Sequence, residues 1–322
     1  MNVTVTPLGL GCAPLGNLYH AISDETATAT VEAAWAEGIR YFDTAPHYGL
    51  GLSERRLGAA LAVHPRDEYV LSTKVGRILE PDPSGASRLD DQGFEVPAAY
   101  KRRWDFSRDG VLRSLEESLE RLGLDRIDIA YVHDPDEHFE EVVLGALPAL
   151  IELRRQGVLK AVGVGMNQAP MLTEFIRRCD VDVIMVAGRY TLLDQPALDE
   201  LLPLCQERGV SVMAAGVFNG GILATATPGT KYDYSDAPAE LIAKAERIAE
   251  VCARHGVEMP EAALALPAAH PAVATVVVGA HNAEQVVTNV ARARTKVPAA
   301  LWADLIAEGL LRSDAVVEAS VS

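Results

Sequence analysis

Four residues of this chain are of types, and at places, that suit proton transfer to or from a small organic oxygen. Asp43 closes the run YFD, Lys74 closes VLSTK, His133 closes IAYVH, and Tyr48 stands five residues beyond Asp43 in PHYG. Each has an ordinary alternative: Asp43 as a helix cap, Lys74 as a solvated strand end, Tyr48 and His133 as satisfied interior groups. Together they form a coherent chemical set. An ammonium beside a phenol favours the phenolate, a carboxylate keeps that ammonium charged and oriented, and an imidazole hydrogen-bonds the reacting oxygen.

Such a set needs elements that end together. In an α/β barrel the interior is apolar and only the C-terminal mouth can use polar strand ends. Short β-branched or apolar runs at 7–11, 40–43, 69–73, 127–132, 161–165, 181–186, 210–214 and 275–278 alternate with segments that read as helices, at 24–37, 53–62, 108–122, 141–156, 169–178, 196–208, 237–255 and 283–293. Ser23 before Asp24 and Glu25 is a helix-start pattern, and Gly38, Gly123, Gly157, Gly209 and Gly256 stand where helices stop. This alternation, with no low-complexity linker, predicts one (β/α)8 TIM barrel domain over 1–322; a doubly wound open sheet is the alternative. Two connections are longer than turns, 76–106 and 216–236. Both follow strands, so both belong to the C-terminal rim, where the first suits a substrate lid and the second a cofactor clasp.

Composition narrows the partners. With 29 basic and 45 acidic residues the formal charge is −16, which disfavours nucleic acid and anionic membranes. Cys12, Cys179, Cys205 and Cys252 are widely spaced, with no CxxC pair, as expected of reduced thiols. The N-terminal MNVTVTPLGLG lacks a signal-peptide pattern, and no segment approaches the roughly 18 apolar residues of a membrane span, so a cytoplasmic location is expected.

The motifs resemble the aldo-keto reductase family. FDTAPHYGLGLSERRLGAAL is similar to the family's first signature, VLSTK to its lysine strand and YVHDPD to its histidine strand. The resemblance implies that Tyr48 is the general acid/base, that Lys74 and Asp43 tune it, and that His133 orients a sugar or aldehyde substrate. GLGCAPLGNLY, AGRYTLLDQ, FNGGIL and LWADLIAEGL resemble the branch of aldose 1-dehydrogenases and L-galactose or L-fucose dehydrogenases, which pyridoxal dehydrogenase-like proteins share. The implied reaction is oxidation of an aldose C1 hydroxyl, with pyridoxal oxidation or general aldehyde and ketone reduction as alternatives.

Around the expected nicotinamide the chain departs from the family pattern. Met166-Asn167 stands for the usual Ser-Asn pair, Ala187 for a glutamine, and Ala215 for the ring-stacking tyrosine, leaving Asn167 as the clear carry-over and Phe218 or Tyr190 as candidates to pack on the ring. Gly216 and Gly220 in the second long connection are further candidate contacts. GLGLS at 49–53 lacks the remaining features of a Rossmann fingerprint. The phosphates instead suit VVVGAHNAEQVVTN, where Gly279 leads into a helix N-terminus carrying His281, Gln285 and Asn289. Gln285 stands where NADP-preferring members hold an arginine, so NAD is the expected cofactor, with NADP as the alternative.

Two other function classes fit parts of the chain. A metal-dependent barrel hydrolase would use His133, Asp134, Asp136 and His138 with His47 nearby, but only His133 follows directly from a strand. No metal is therefore expected. A non-enzymatic barrel that binds nucleotide would need neither Tyr48 nor Lys74.

Overall fold

The computed structural model describes residues 3–232 and 235–316. Eight parallel strands close into a barrel: β1 Leu8–Gly11, β2 Tyr41–Asp43, β3 Val70–Val75, β4 Ile129–His133, β5 Ala161–Met166, β6 Val183–Ala187, β7 Ser211–Ala215 and β8 Val273–Gly279. Each pairs with the next in sequence, and β8 returns to β1. This is the expected (β/α)8 TIM barrel, with a strand at each expected place.

Side-chain alternation divides two cores. Inward-facing Tyr41, Ile129, Tyr131, Met185, Met213 and Val277 fill the barrel, whereas Phe42, Leu71, Val75, Ala130 and Val132 join the larger layer between strands and helices. Because the period is two, the last inward positions of β2, β3 and β4 are Asp43, Lys74 and His133. The fold therefore delivers three polar groups to one end.

Helix ends follow the local chemistry. Ser23 caps Asp24–Ala36 by accepting from the Thr26 amide at 3.2 Å. Gly38, Gly123, Gly157, Gly209 and Gly256 all take positive φ just beyond helices. The helix expected over 141–156 starts earlier, as Phe139–Glu141, and continues through a π-helical segment, Val142–Ala146, into Leu147–Arg155. A Cβ on Gly145 would lie 2.5 Å from the Phe106 carbonyl oxygen, so the bulged turn passes close to the preceding loop. The segment expected over 196–208 is split into a 3₁₀ turn, Pro196–Leu198, and a helix, Leu201–Arg208.

Four further pieces have no counterpart among the expected elements. The first long connection contains a hairpin, Arg77–Pro81 with Tyr100–Trp104, and the second a short ribbon, Lys231–Tyr232 with Ser235–Asp236. Helices Met259–Ala268 and Ala299–Ala307 pack outside the barrel. All four cysteines are free. Among the described residues no helix is long and apolar enough to cross a membrane.

Candidate active site

The strand register explains how the charged pair meets. Asp43 is paired with Ser72 across β2 and β3, and Lys74 lies two residues further along β3 on the same face. Lys74 Nζ donates to Asp43 Oδ2 at 2.6 Å, to the Thr44 carbonyl at 2.9 Å and to Tyr48 Oη at 3.0 Å. Both Asp43 and Lys74 are 2% exposed. Ser72 Oγ donates to the other oxygen of Asp43 at 2.7 Å and in turn meets Tyr41 Oη at 2.9 Å. A buried charge pair is destabilising unless its remaining polar groups are bonded, and here they are.

Tyr48 is set by its loop rather than by a strand. Gly16 and Gly49 bring two backbone segments together so closely that a Cβ on Gly16 would lie 2.6 Å from the Tyr48 carbonyl carbon, and one on Gly49, whose φ is +60°, 2.3 Å from the Gly16 oxygen. The Tyr48 ring lies 5.8 Å from that of His133, nearly perpendicular to it, and 6.0 Å from Phe94 of the first long connection.

His133 is buried at the end of β4, followed by Asp134 in the left-handed region at φ 42°. Asp134 accepts from Arg77 Nη2 at 2.6 Å, and its Oδ2 lies 3.4 Å from His133 Nε2. Burial, then the positive charges of Arg77 and Lys74, hold the His133 imidazole well below its ordinary pKa. The same causes, burial first and then Arg77, Arg102 and Lys74, push His47 down to about 2. The two rings are 5.5 Å apart. Both are neutral at physiological pH, fit to hydrogen-bond an oxygen rather than to carry charge.

This has a consequence for stability. An unfolded histidine takes up its proton near pH 6.5, while these two stay neutral far below that. Stability is then fully present above about pH 6.5 and is lost as pH falls, by roughly 1.4 kcal/mol per pH unit for each histidine. Urea midpoints between pH 7.5 and 5.5 should show this decline, and His133→Gln should flatten it. An equal slope in the variant would refute the assignment.

The sites expected for cofactor lie on the same rim. Asn167 follows β5 directly. Beyond β7, Gly216, Asn219, Gly220 and Gly221 all have positive φ, at 63°, 46°, 76° and 112°, and the Asn219 and Gly221 amides close tight turns on the Gly216 and Phe218 carbonyls at 2.8 and 2.9 Å. Asn219 Oδ1 is buried without a partner, although its Nδ2 donates to the Gly188 carbonyl at 3.1 Å. After β8, Gly279 leads to Asn282, which caps helix Ala283–Ala293 by accepting from the Gln285 amide at 2.9 Å. Gln285 Oε1 returns to accept from the His281 amide at 2.8 Å, and His281 Nε2 lies 2.9 Å from the Leu18 carbonyl. Asn289 faces inward on that helix and is 9% exposed. The orphaned Asn219 oxygen and the helix N-terminus that follows β8 on the same rim together fit a dinucleotide with its pyrophosphate.

Some expectations are corrected. Tyr190 cannot pack on a nicotinamide: it is 2% exposed, donates to the Ala315 carbonyl at 2.8 Å and sits edge-on to His270. Phe218 remains half-buried beside Gly216. Arg102 makes a two-pronged ion pair with Asp90, at 2.6 and 3.0 Å, and Arg103 pairs with Glu80 and Asp105 on the hairpin. Both arginines are thus ion-paired within the first long connection. The HDPDEH run does not converge, since His138 turns to Glu141, Trp104 and Phe106. Among the described residues no three His, Cys, Asp or Glu side chains group as metal ligands. Sequence reasoning put the connections holding Arg77, Phe94 and Asn219 at the rim but gave none of the three a part in the site; Arg77, three residues beyond Lys74 at the start of the first connection, carried the most usable signal.

A parallel barrel with a buried Lys-Asp pair, a tyrosine bonded to the lysine and a neutral histidine at its C-terminal mouth defines an enzyme that transfers protons at a carbonyl or hydroxyl oxygen. The chain belongs to the aldo/keto reductase family, whose model matches residues 7–306, and it is an oxidoreductase of a type that uses a nicotinamide nucleotide. It is 49% identical over 308 residues to a D-threo-aldose 1-dehydrogenase of Pseudomonas sp., covering 94% of each chain. It is 41% identical to a pyridoxal 4-dehydrogenase of Microbacterium luteolum, over 96% of this chain and 95% of the other. An aldo-keto reductase of Bacillus halodurans, in its holo form, superposes with a TM-score of 0.76 at 26% identity, covering 99% of this chain and 97% of the other.

Proposed function

We propose that this enzyme, working as a single barrel domain in the cytoplasm, oxidises the C1 hydroxyl of a cyclic aldose of the L-fucose, L-galactose or D-arabinose type to its lactone. The observation that carries the chemistry is the 3.0 Å bond from Lys74 Nζ to Tyr48 Oη, with Asp43 behind the lysine; the substrate class rests on the Pseudomonas relative. In this reading Tyr48 takes the C1 hydroxyl proton, its phenolate favoured by the ammonium 3.0 Å away. Neutral His133 holds the same oxygen by a hydrogen bond. The C1 hydrogen leaves with its electron pair, and the hemiacetal carbon becomes the lactone carbonyl. Bound nicotinamide supplies the two-electron acceptor. Asn167, Gly216, Phe218 and Gly220 would hold its nicotinamide half, and Gly279, His281, Gln285 and Asn289 the adenosine half. A panel of aldoses and pyridoxal, scored by reduced cofactor, tests the reading. The Microbacterium relative supports pyridoxal as the second reading, and turnover of pyridoxal but of no sugar would select it.

NAD is the proposed cofactor. A 2′-phosphate needs charge-assisted contacts, ideally from a guanidinium. The arginines of the nearby helix are already engaged: Arg292 with the Ala224 carbonyl and Glu258, Arg294 with Glu37. Losing one charged hydrogen bond costs about 1.5 to 3 kcal/mol, so kcat/KM for NAD should exceed that for NADP by roughly ten- to a hundredfold. Equal or higher efficiency with NADP would overturn this.

A further inference from the structure

We infer that His47 determines the substrate class of this site, by hydrogen-bonding the hydroxyl on the carbon next to the reacting one. It rests on the reading of Tyr48 and His133 as the groups at the reacting oxygen.

The His47 ring packs on its neighbours, but its nitrogens are left without partners. Its Nδ1 is buried without a hydrogen-bond partner, and its Nε2 has none among the described residues. Around it the charges are paired, Lys74 with Asp43, Arg77 with Asp134 and Arg102 with Asp90, while the Nε atoms of Arg77 and Arg102 are, like His47 Nδ1, buried without a hydrogen-bond partner. A buried ring nitrogen left without a partner beside Tyr48 and His133 is a position a ligand atom would complete. The loop is also held firmly, since Arg102 Nη2 donates to the His47 carbonyl at 3.1 Å and Phe94 meets the ring edge-to-face at 5.2 Å.

The surroundings select the kind of ligand. A cation is disfavoured by the three positive side chains nearby, and an anion finds each of those charges already paired. What remains is a neutral oxygen, to which a neutral imidazole offers one N–H and one lone pair. Burial and the neighbouring charges keep the ring in that form, its pKa down at about 2.

Position sets which oxygen. The His47 ring stands 6.0 Å from Tyr48 and 5.5 Å from His133, and Tyr48 stands 5.8 Å from His133, so the three rings are mutual neighbours at the barrel mouth. With one oxygen held by Tyr48 and His133, the next within reach of His47 is on the adjoining carbon, because vicinal oxygens lie about a hydrogen-bond length apart. The favoured substrates are therefore α-hydroxy aldehydes and their cyclic hemiacetals, the aldoses.

The test uses substrate pairs that differ only in that hydroxyl: an aldose with its 2-deoxy counterpart in oxidation, and glyceraldehyde with 3-hydroxypropionaldehyde in reduction. The wild type should favour the hydroxylated member in kcat/KM by about tenfold or more, since a site built to bond a hydroxyl is left with unpaired polar groups by its deoxy analogue. In His47→Leu the ratio should collapse toward one, and His47→Asn should restore part of it; cofactor titration confirms that each variant is folded. A wild-type ratio near one, or a ratio unchanged in His47→Leu, overturns the inference. If no aldose is oxidised but the glyceraldehyde preference depends on His47, the inference holds and the aldose reading fails. If aldoses are oxidised and the ratio ignores His47, the reverse is true.

Discussion

Tyr48→Phe is expected to lower turnover by roughly 10²- to 10⁴-fold while leaving cofactor affinity nearly unchanged. The substitution removes one oxygen and little else. The ring keeps its place between His133, at 5.8 Å, and Phe94, at 6.0 Å. Lys74 loses one of its three acceptors but retains Asp43 and the Thr44 carbonyl, so no buried charge is orphaned. A large loss of stability is therefore not expected, and circular dichroism should be that of the wild type. Turnover follows from steady-state reduction of cofactor and binding from quenching of protein fluorescence. A variant retaining most of its activity with an unchanged pH profile would sink the role given to the phenol.

How much of this was legible in the sequence differs by element. The barrel strands were readable because each is a short apolar run between helix-stop glycines and polar turns, and the regular alternation permits few topologies. The three strand-end residues were readable for a related reason: a polar side chain closing an apolar strand is out of place except at a barrel mouth. Helix Met259–Ala268 was not, because MPEAALALPA has no polar face to give a 3.6-residue period, and its capping box uses Glu258, an unusual capping residue. The hairpin Arg77–Pro81 with Tyr100–Trp104 was hidden by the 18 residues between its arms, a spacing no short turn signal covers. Tyr190 shows the limit for single aromatics. Its type suits ring stacking or core packing equally, and only the returning C-terminal segment, which supplies the Ala315 carbonyl, decides the matter. His47 was visible merely as a stray ligand type, since its meaning depends on which neighbours are already paired.

Lys74→Met should reduce turnover comparably to Tyr48→Phe, but it should also destabilise the fold, and separating the two losses is the sharper experiment. Methionine keeps the apolar stem and removes the ammonium. Asp43, 2% exposed, is then left with the Ser72 hydroxyl as its side-chain partner. Removing one member of a buried ion pair typically costs about 3 to 5 kcal/mol, because the remaining charge stays desolvated and uncompensated. The fully buried setting of β3 gives water no easy access to relieve it. Adding Asp43→Asn removes that charge, keeps an oxygen to accept from Ser72, and should return most of the stability. Turnover should not return, since the doubly substituted enzyme still lacks a cation beside Tyr48 Oη. Urea unfolding and steady-state rates on both variants give the two quantities independently. If the single variant is as stable as the wild type, the pair is not the buried, desolvated one its geometry implies. If the double variant regains turnover, Lys74 serves only to neutralise Asp43, and the proton-transfer role assigned to the lysine fails.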